Sequence, residues 1–139
     1  MSRFVLDASV ALAWFIDHPV DAYAVEVREK IRRGDRAVVP SLWETEFANG
    51  VLMAERRKLM TILEGDECMV EMNQLRSTSI EADSGFRSIR EALTVARTFR
   101  LTVYDACYLE LATREGLPLA TLDKSLNAAA AKMGIRAMS

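Results

Sequence analysis

Three aspartates stand where short apolar runs meet helix-like stretches. Asp7 follows the apolar run 4–6, and Asp123 follows "LPLAT", residues 117–121, in the same way. Asp105 opens the helical pattern of "LTVYDACYLELA". An aspartate before a helix is most often a cap for unpaired backbone N–H groups, so each of them taken alone has that interpretation.

Glu46 adds a fourth carboxylate whose position is unusual for a surface acid. It lies in the helical pattern that begins at Ser41, three residues after Trp43 and four before Gly50, and therefore borders the buried stripe. Taken alone, it is more simply a half-exposed surface acid. Together with the three aspartates it forms a set of carboxylates that would repel one another and raise each other's pKa.

A divalent cation would remove the cost of gathering these carboxylates. Oxygen ligands with no Cys or His nearby favour Mg²⁺ or Mn²⁺ over zinc. Water bound to such a cation can be activated as a nucleophile for a phosphodiester. The acids therefore indicate metal-dependent phosphodiester chemistry, provided that the fold brings them together.

The elements that must position them alternate along the chain. Strands are predicted at 4–6, 36–40, 77–80 and 117–121, and helices at 8–15, 19–33, 41–58, 61–75, 86–99, 105–115 and 123–133. Ser41 and Glu44 have the spacing of a capping box. This order predicts an α/β fold, a three-layer α/β/α sandwich with a central, mainly parallel sheet. Asp7 and Asp123 would then project at the same carboxyl edge of the sheet.

The bulk properties predict one globular domain over residues 1–139. Half of the residues are hydrophobic, and 18 basic residues against 20 acidic ones leave a net charge of −2. That balance argues against broad electrostatic adhesion to nucleic acid. Neither a membrane span nor a signal peptide is predicted, and Cys68 and Cys107 are interpreted as buried thiols of a cytoplasmic protein.

The segments "FVLDASVALAW", "VPSLWETEFANGVL" and "LTVYDACYLELATREGLPLATLDKSL" resemble the four motif blocks of the PIN-domain nucleases, and closely those of the VapC-type toxins of toxin–antitoxin pairs. The resemblance runs from residue 3 to about residue 134. It implies that the metal-binding, catalytic acids are Asp7, Glu46, Asp105 and Asp123. It places Ser9 and Thr121 near the metal and includes Asn49 in the second block.

This resemblance also implies an activity and partners. The expected protein is an Mg²⁺- or Mn²⁺-dependent endoribonuclease that leaves 5′-phosphate ends on its RNA substrate. It would be a cytoplasmic homodimer, and an antitoxin protein would silence it. Two readings of the same fold remain open: a housekeeping PIN nuclease of RNA maturation, and a non-catalytic binding module.

Other enzyme classes fit the residues less well. Phosphatases of the haloacid-dehalogenase type need a second acid two residues after the nucleophile, but Asp7 is followed by Ala8 and Ser9. A phospho-accepting receiver domain would need paired acids before its phosphorylated aspartate, and residues 1–5 contain none. His18, the only histidine, argues against a metal-free ribonuclease that uses two histidines.

Basic and aromatic residues carry weaker signals. Arg87, Arg90 and Arg97 recur at three- and seven-residue spacing on one helix face, where they could contact an RNA backbone, although such a face is usually only solvated. Trp14 and Trp43 lie in apolar helical stretches and are interpreted as core anchors, not as base-stacking platforms.

Overall fold

The fold is built on a small parallel sheet. A computed structural model describes residues 2–83 and 89–139. Its strands are β1 Arg3–Leu6, β2 Arg36–Val39, β3 Ile80–Ala82 and β4 Leu119–Ala120. They lie in the order β3-β2-β1-β4, and all three pairs are parallel.

Seven helices surround this sheet in the described part of the chain. They are α1 Ala8–Ile16, α2 Ala22–Arg32, α3 Trp43–Arg56, α4 Ile62–Thr78, α5 Ile89–Phe99, α6 Val103–Glu115 and α7 Lys124–Lys132. Helix α1 packs against α2 and α3, α3 packs against α4, and α6 packs against α5 and β1. The predicted α/β/α architecture with a parallel sheet is confirmed.

The strand order creates a switch point beside β1. The chain moves outward from β1 to β2 and β3, and then returns to place β4 on the other side of β1. Open parallel sheets bind their ligands beyond the carboxyl ends of the strands at such a point. Because Leu6 is paired with Ala120, the next residues, Asp7 and Thr121, leave the sheet side by side.

The central strand is buried on both faces. Phe4, Val5 and Leu6 are all 0 % exposed, as expected for an apolar run inside a covered parallel sheet. Trp14 and Trp43 are buried in the same core, which confirms their interpretation as anchors. Cys68 and Cys107 are buried free thiols, as predicted.

The predicted capping box of Ser41 and Glu44 is wrong. Helix α3 begins at Trp43 after Leu42, without a side-chain cap, because the Trp43 N–H donates to the Pro40 carbonyl at 3.0 Å and places Ser41 inside a turn. Glu44 instead forms an ion pair with Arg76. The capping box lies at the start of α4, where Thr61 and Glu64 exchange hydrogen bonds of 3.1 and 2.9 Å.

The third strand is displaced along the chain from its predicted position. The segment 77–80, with β-branched residues at 78 and 80, is predicted as a strand, but α4 continues to Thr78 and β3 begins at Ile80. The hydroxyls of Ser77 and Thr78 donate to the Gln74 carbonyl at 2.7 and 3.1 Å, so both side chains bond to the backbone of α4 and not to a neighbouring strand. Among the helices of residues 2–83 and 89–139, none is long and apolar enough to cross a membrane.

Candidate functional site

Asp7 occupies the first position beyond β1 and is only 8 % exposed. Its backbone N–H extends the ladder by donating to the Ala120 carbonyl at 2.9 Å. Its side-chain Oδ2 accepts hydrogen bonds from Thr121 Oγ1 at 2.6 Å and from Ser9 Oγ at 2.7 Å. Although Asp7 precedes α1, its carboxylate makes no capping hydrogen bond to that helix. The side chain is therefore part of a buried polar cluster.

The two hydroxyls of this cluster also organise the segment that leads to Asp123. Ser9 Oγ accepts the Leu122 N–H at 3.1 Å, and Thr121 Oγ1 accepts the Asp123 N–H at 3.0 Å. Each hydroxyl thus donates to Asp7 and accepts from the backbone after β4. The end of β1 and the end of β4 are locked together by side chains that the resemblance placed near the metal.

Asp123 and Asp105 lie at the start of two helices, Asp123 as the cap of α7 and Asp105 within the first turn of α6. Asp123 is exposed and caps α7, because its Oδ1 accepts the N–H groups of Ser125 and Leu126 at 2.8 and 3.1 Å. Asp105 is half-buried in the first turn of α6, where Thr102 provides the cap by accepting the Asp105 N–H at 3.1 Å. Of the three aspartates, only Asp123 is the helix cap that its sequence position suggests.

Glu46 is half-buried on α3 and is held by a residue that sequence reasoning missed. The Tyr108 hydroxyl donates to Glu46 Oε1 at 2.5 Å. Tyr108 lies on α6, three residues after Asp105, and is 0 % exposed. The signal that could have found it is its place within an apolar helical stripe, because a buried tyrosine hydroxyl generally requires a partner.

Burial and mutual repulsion both act on the pKa values of these acids. Burial raises the pKa of Asp7, of Glu46 and of Asp105 above the usual carboxyl values. The charge of Asp123 raises the pKa of Asp7 and of Asp105, and the charge of Asp7 raises those of Glu46 and Asp105. Four carboxylates from four segments of the chain therefore share one electrostatic neighbourhood at the carboxyl edge of the sheet.

The Tyr108 phenol belongs to the same neighbourhood. Burial raises its pKa well above the usual range, and the charges of Asp7 and Glu46 raise it further. The backbone N–H of Ala8 has the opposite effect on this pKa. The phenol donates its O–H to Glu46 within this neighbourhood.

The donor set fits a hard divalent cation by its chemistry. All four side chains offer oxygen atoms, and their mutual repulsion is the penalty that a bound cation would offset. As the side chains stand, residues 2–83 and 89–139 contain no group of three or more His, Cys, Asp or Glu placed so that it could hold a metal ion. The Asp123 carboxylate accepts a hydrogen bond from the α7 backbone and the Glu46 carboxylate accepts one from Tyr108, so these two side chains are not turned towards a common point.

The remaining candidate residues within the described ranges lie on exposed helix surfaces. Asn49 is exposed on α3, one turn beyond Glu46. Arg90 and Arg97 are exposed on α5. Arg87 lies outside the described residues.

Comparison with known proteins identifies the family. The profile of the PIN domain family matches residues 4–132. The fold is similar to that of PAE2754 from Pyrobaculum aerophilum, with a TM-score of 0.69 and 23 % identity over 92 % of this chain and 79 % of the other. The fold is also similar to that of FitAcB from Neisseria gonorrhoeae, with a TM-score of 0.66 and 16 % identity over 98 % of this chain and 96 % of the other.

A third similar structure is VapBC2 from Rickettsia felis bound to a DNA fragment from their promoter, with a TM-score of 0.60 and 14 % identity over 91 % of this chain and 92 % of that one. At these identities the likeness to the three structures concerns the fold. No curated protein sequence matches the chain.

Proposed function

Because the chain belongs to the PIN domain family, we propose that it is an Mg²⁺- or Mn²⁺-dependent endoribonuclease. The observation that carries this proposal is the convergence of Asp7, Glu46, Asp105 and Asp123 on one electrostatic neighbourhood beside the β1–β4 switch point. A cluster of repelling carboxylates is expensive to keep in a fold unless a cation uses it. Retention of all four acids supports an active enzyme.

The four carboxylates would hold one or two cations, directly or through water. When bound, Mg²⁺ or Mn²⁺ would polarise a phosphate oxygen and lower the pKa of a coordinated water. Asp7 contributes a carboxylate held in place, because Ser9 and Thr121 donate to its Oδ2 at 2.7 and 2.6 Å. These donors favour the ionised form of Asp7 and so oppose the effect of its burial.

The other acids complete a surface that an RNA strand can reach. Asp123 is exposed and Asp105 is half-buried, so both side chains are accessible to a phosphodiester that approaches from solvent. Glu46 would complete the ligand set or orient the attacking water. Attack by water needs no ribose 2′-hydroxyl, so the proposed products carry 5′-phosphate and 3′-hydroxyl ends.

Substrate contacts and partners form the finer part of the proposal. Arg90 and Arg97, exposed on α5, are proposed to contact the RNA backbone together with Arg87. The VapC-like motif blocks, with a fold shared with FitAcB and VapBC2, support a toxin that pairs with an antitoxin protein. We propose a cytoplasmic homodimer.

The decisive experiment is paired induction in bacteria of the wild type and Asp105→Asn at matched soluble levels, with sequencing of new RNA 5′ ends. Growth arrest with discrete new 5′-phosphate ends in the wild type alone is the expected result. Arrest by both proteins would remove the catalytic claim and favour a binding module. If neither arrests growth nor cuts RNA, a maturation nuclease or a binding module becomes the better description.

A further inference from the structure

Tyr108 places a polar hydroxyl among apolar side chains of the core. Its side chain is 0 % exposed, and its neighbours on α6, Leu109 and Leu111, are buried in the hydrophobic core. Burying a hydroxyl is unfavourable unless it is hydrogen-bonded, and a phenylalanine would fill almost the same volume without that requirement. The partner of this hydroxyl, Glu46 Oε1, is the feature that distinguishes tyrosine from phenylalanine here.

Glu46 is a side chain that such a partner can hold in place. Its side chain extends from α3 into a half-buried position near the charges of Asp7 and Asp105. Both charges repel it, and a glutamate has enough rotatable bonds to turn away into solvent. The Tyr108 hydroxyl opposes this by joining α3 to α6 across 62 positions of sequence.

We propose that Tyr108 is a positioning residue that holds Glu46 Oε1 at the contact between α3 and α6 and leaves the second carboxylate oxygen available to a divalent cation. This inference rests on the proposed function. The hydroxyl acts only through Glu46. Partners of metal-ligand side chains commonly contribute a tenfold or larger factor to metal affinity when they fix ligand orientation.

The chain offers a matched control. The Tyr23 hydroxyl donates to the Met138 carbonyl at 2.8 Å, so Tyr23→Phe also removes one hydrogen-bonded phenol, but away from the acids. Purified wild type, Tyr108→Phe, Tyr23→Phe, Glu46→Gln and the double variant Tyr108→Phe/Glu46→Gln are titrated with Mn²⁺. Electron paramagnetic resonance of free Mn²⁺ measures binding, and thermal unfolding in EDTA verifies the fold.

Tyr108→Phe is expected to weaken Mn²⁺ binding about tenfold, whereas Tyr23→Phe leaves it unchanged. In the Glu46→Gln background, Tyr108→Phe should cause no further loss, because the interaction energy of two coupled residues is lost with either one. A further tenfold loss in that background would overturn the inference, as would equal Mn²⁺ affinity of wild type and Tyr108→Phe. Recovery of Tyr108→Phe as an unfolded protein would also overturn it, since the hydroxyl would then be structural.

The same titration separates this inference from the proposed function. A wild type that binds no Mn²⁺ contradicts the proposed metal-dependent activity itself. A wild type that binds Mn²⁺ and cuts RNA, with Tyr108→Phe indistinguishable from it, leaves the function standing and removes only the role of Tyr108.

Discussion

Replacing Asp105 by Asn should make the metal-free protein more stable and the metal-bound protein less stable than the wild type. Asn keeps the size of the side chain, and the backbone N–H of residue 105 still donates to Thr102 Oγ1. The substitution removes one negative charge from a neighbourhood that also holds Asp7, Glu46 and Asp123. The sign of the change in stability therefore reports whether the acids repel one another or stabilise the fold.

The magnitude follows from simple electrostatics. Two like charges about 8 Å apart repel by about 0.5 kcal/mol in water and by about 2 kcal/mol at an effective dielectric constant of 20. Because Asp105 is only half-buried and salt screens its charge, the lower value applies, and three neighbours sum to about 1.5 kcal/mol. Loss of the favourable interaction between an acid and the first turn of α6 opposes this by about 0.5 kcal/mol.

The net expectation in EDTA is a gain of about 1 kcal/mol in the free energy of unfolding, or roughly 3 °C in Tm for a domain of this size. Saturation with Mn²⁺ reverses the order. Mn²⁺ at a concentration of 100 times its Kd stabilises the native state by about 2.7 kcal/mol. The variant loses most of that stabilisation because it lacks one of the carboxylates that would bind the ion. Thermal unfolding of both proteins, with and without Mn²⁺, measures all four values.

Asp66→Asn is the control, because Asp66 is an exposed acid on α4. Its Tm should stay close to that of the wild type in both conditions. A loss of more than about 1 kcal/mol by Asp105→Asn in EDTA would refute the repulsion argument, because a purely electrostatic cluster of this kind cannot produce it. Equal stabilisation of wild type and variant by Mn²⁺ would refute the role of Asp105 as a ligand.

Three further predictions concern pH and two local structures. In EDTA, the advantage of Asp105→Asn should shrink as the pH falls from neutral towards 3.8, the ordinary aspartate pKa. The pKa of Asp105 is raised in the folded wild type, so the native wild type binds a proton more readily than the unfolded chain and loses stability as the pH rises through that pKa. Urea unfolding at several pH values measures the advantage of the variant, and an advantage that is constant with pH would contradict this. Thr121→Val should cost about 2 kcal/mol in urea unfolding, since Asp7 loses a donor and the Asp123 N–H loses its acceptor; Thr121→Ser, which keeps the hydroxyl, should lose much less. Gly116 ends α6 at φ 66° with open space around it, so Gly116→Ala should lower the unfolding free energy by about 1 kcal/mol through backbone conformation alone, and an unchanged Tm would show that the turn tolerates a side chain.

Much of the fold follows from local sequence pattern. The run 4–6 is apolar at every position because β1 is covered on both faces. The glycine at position 116 ends α6 in the left-handed conformation, as its place after the helical pattern predicts. The strand–helix alternation is enough to predict a parallel sheet and to put Asp7 and Asp123 at one edge of it.

Local pattern fails where a tertiary contact outweighs a local preference. Ser41 and Glu44 have the spacing of a capping box, yet the turn after Pro40 and the ion pair with Arg76 take both side chains away from that role. Asp7 and Asp123 have similar local contexts and different uses. Asp123 caps the next helix, whereas Asp7 is buried between two strands and accepts hydroxyl donors.

The sequence by itself determined which residues carry the charges and which elements present them. Only the tertiary structure decided how these side chains are held. Thr121 reaches Asp7 across 114 positions of sequence and Tyr108 reaches Glu46 across 62. Contacts at such separations depend on the order β3-β2-β1-β4 and on the packing of α6 against β1. No local periodicity encodes them, because hydrogen-bond partners this distant are chosen by the packing of the whole sheet and its helices.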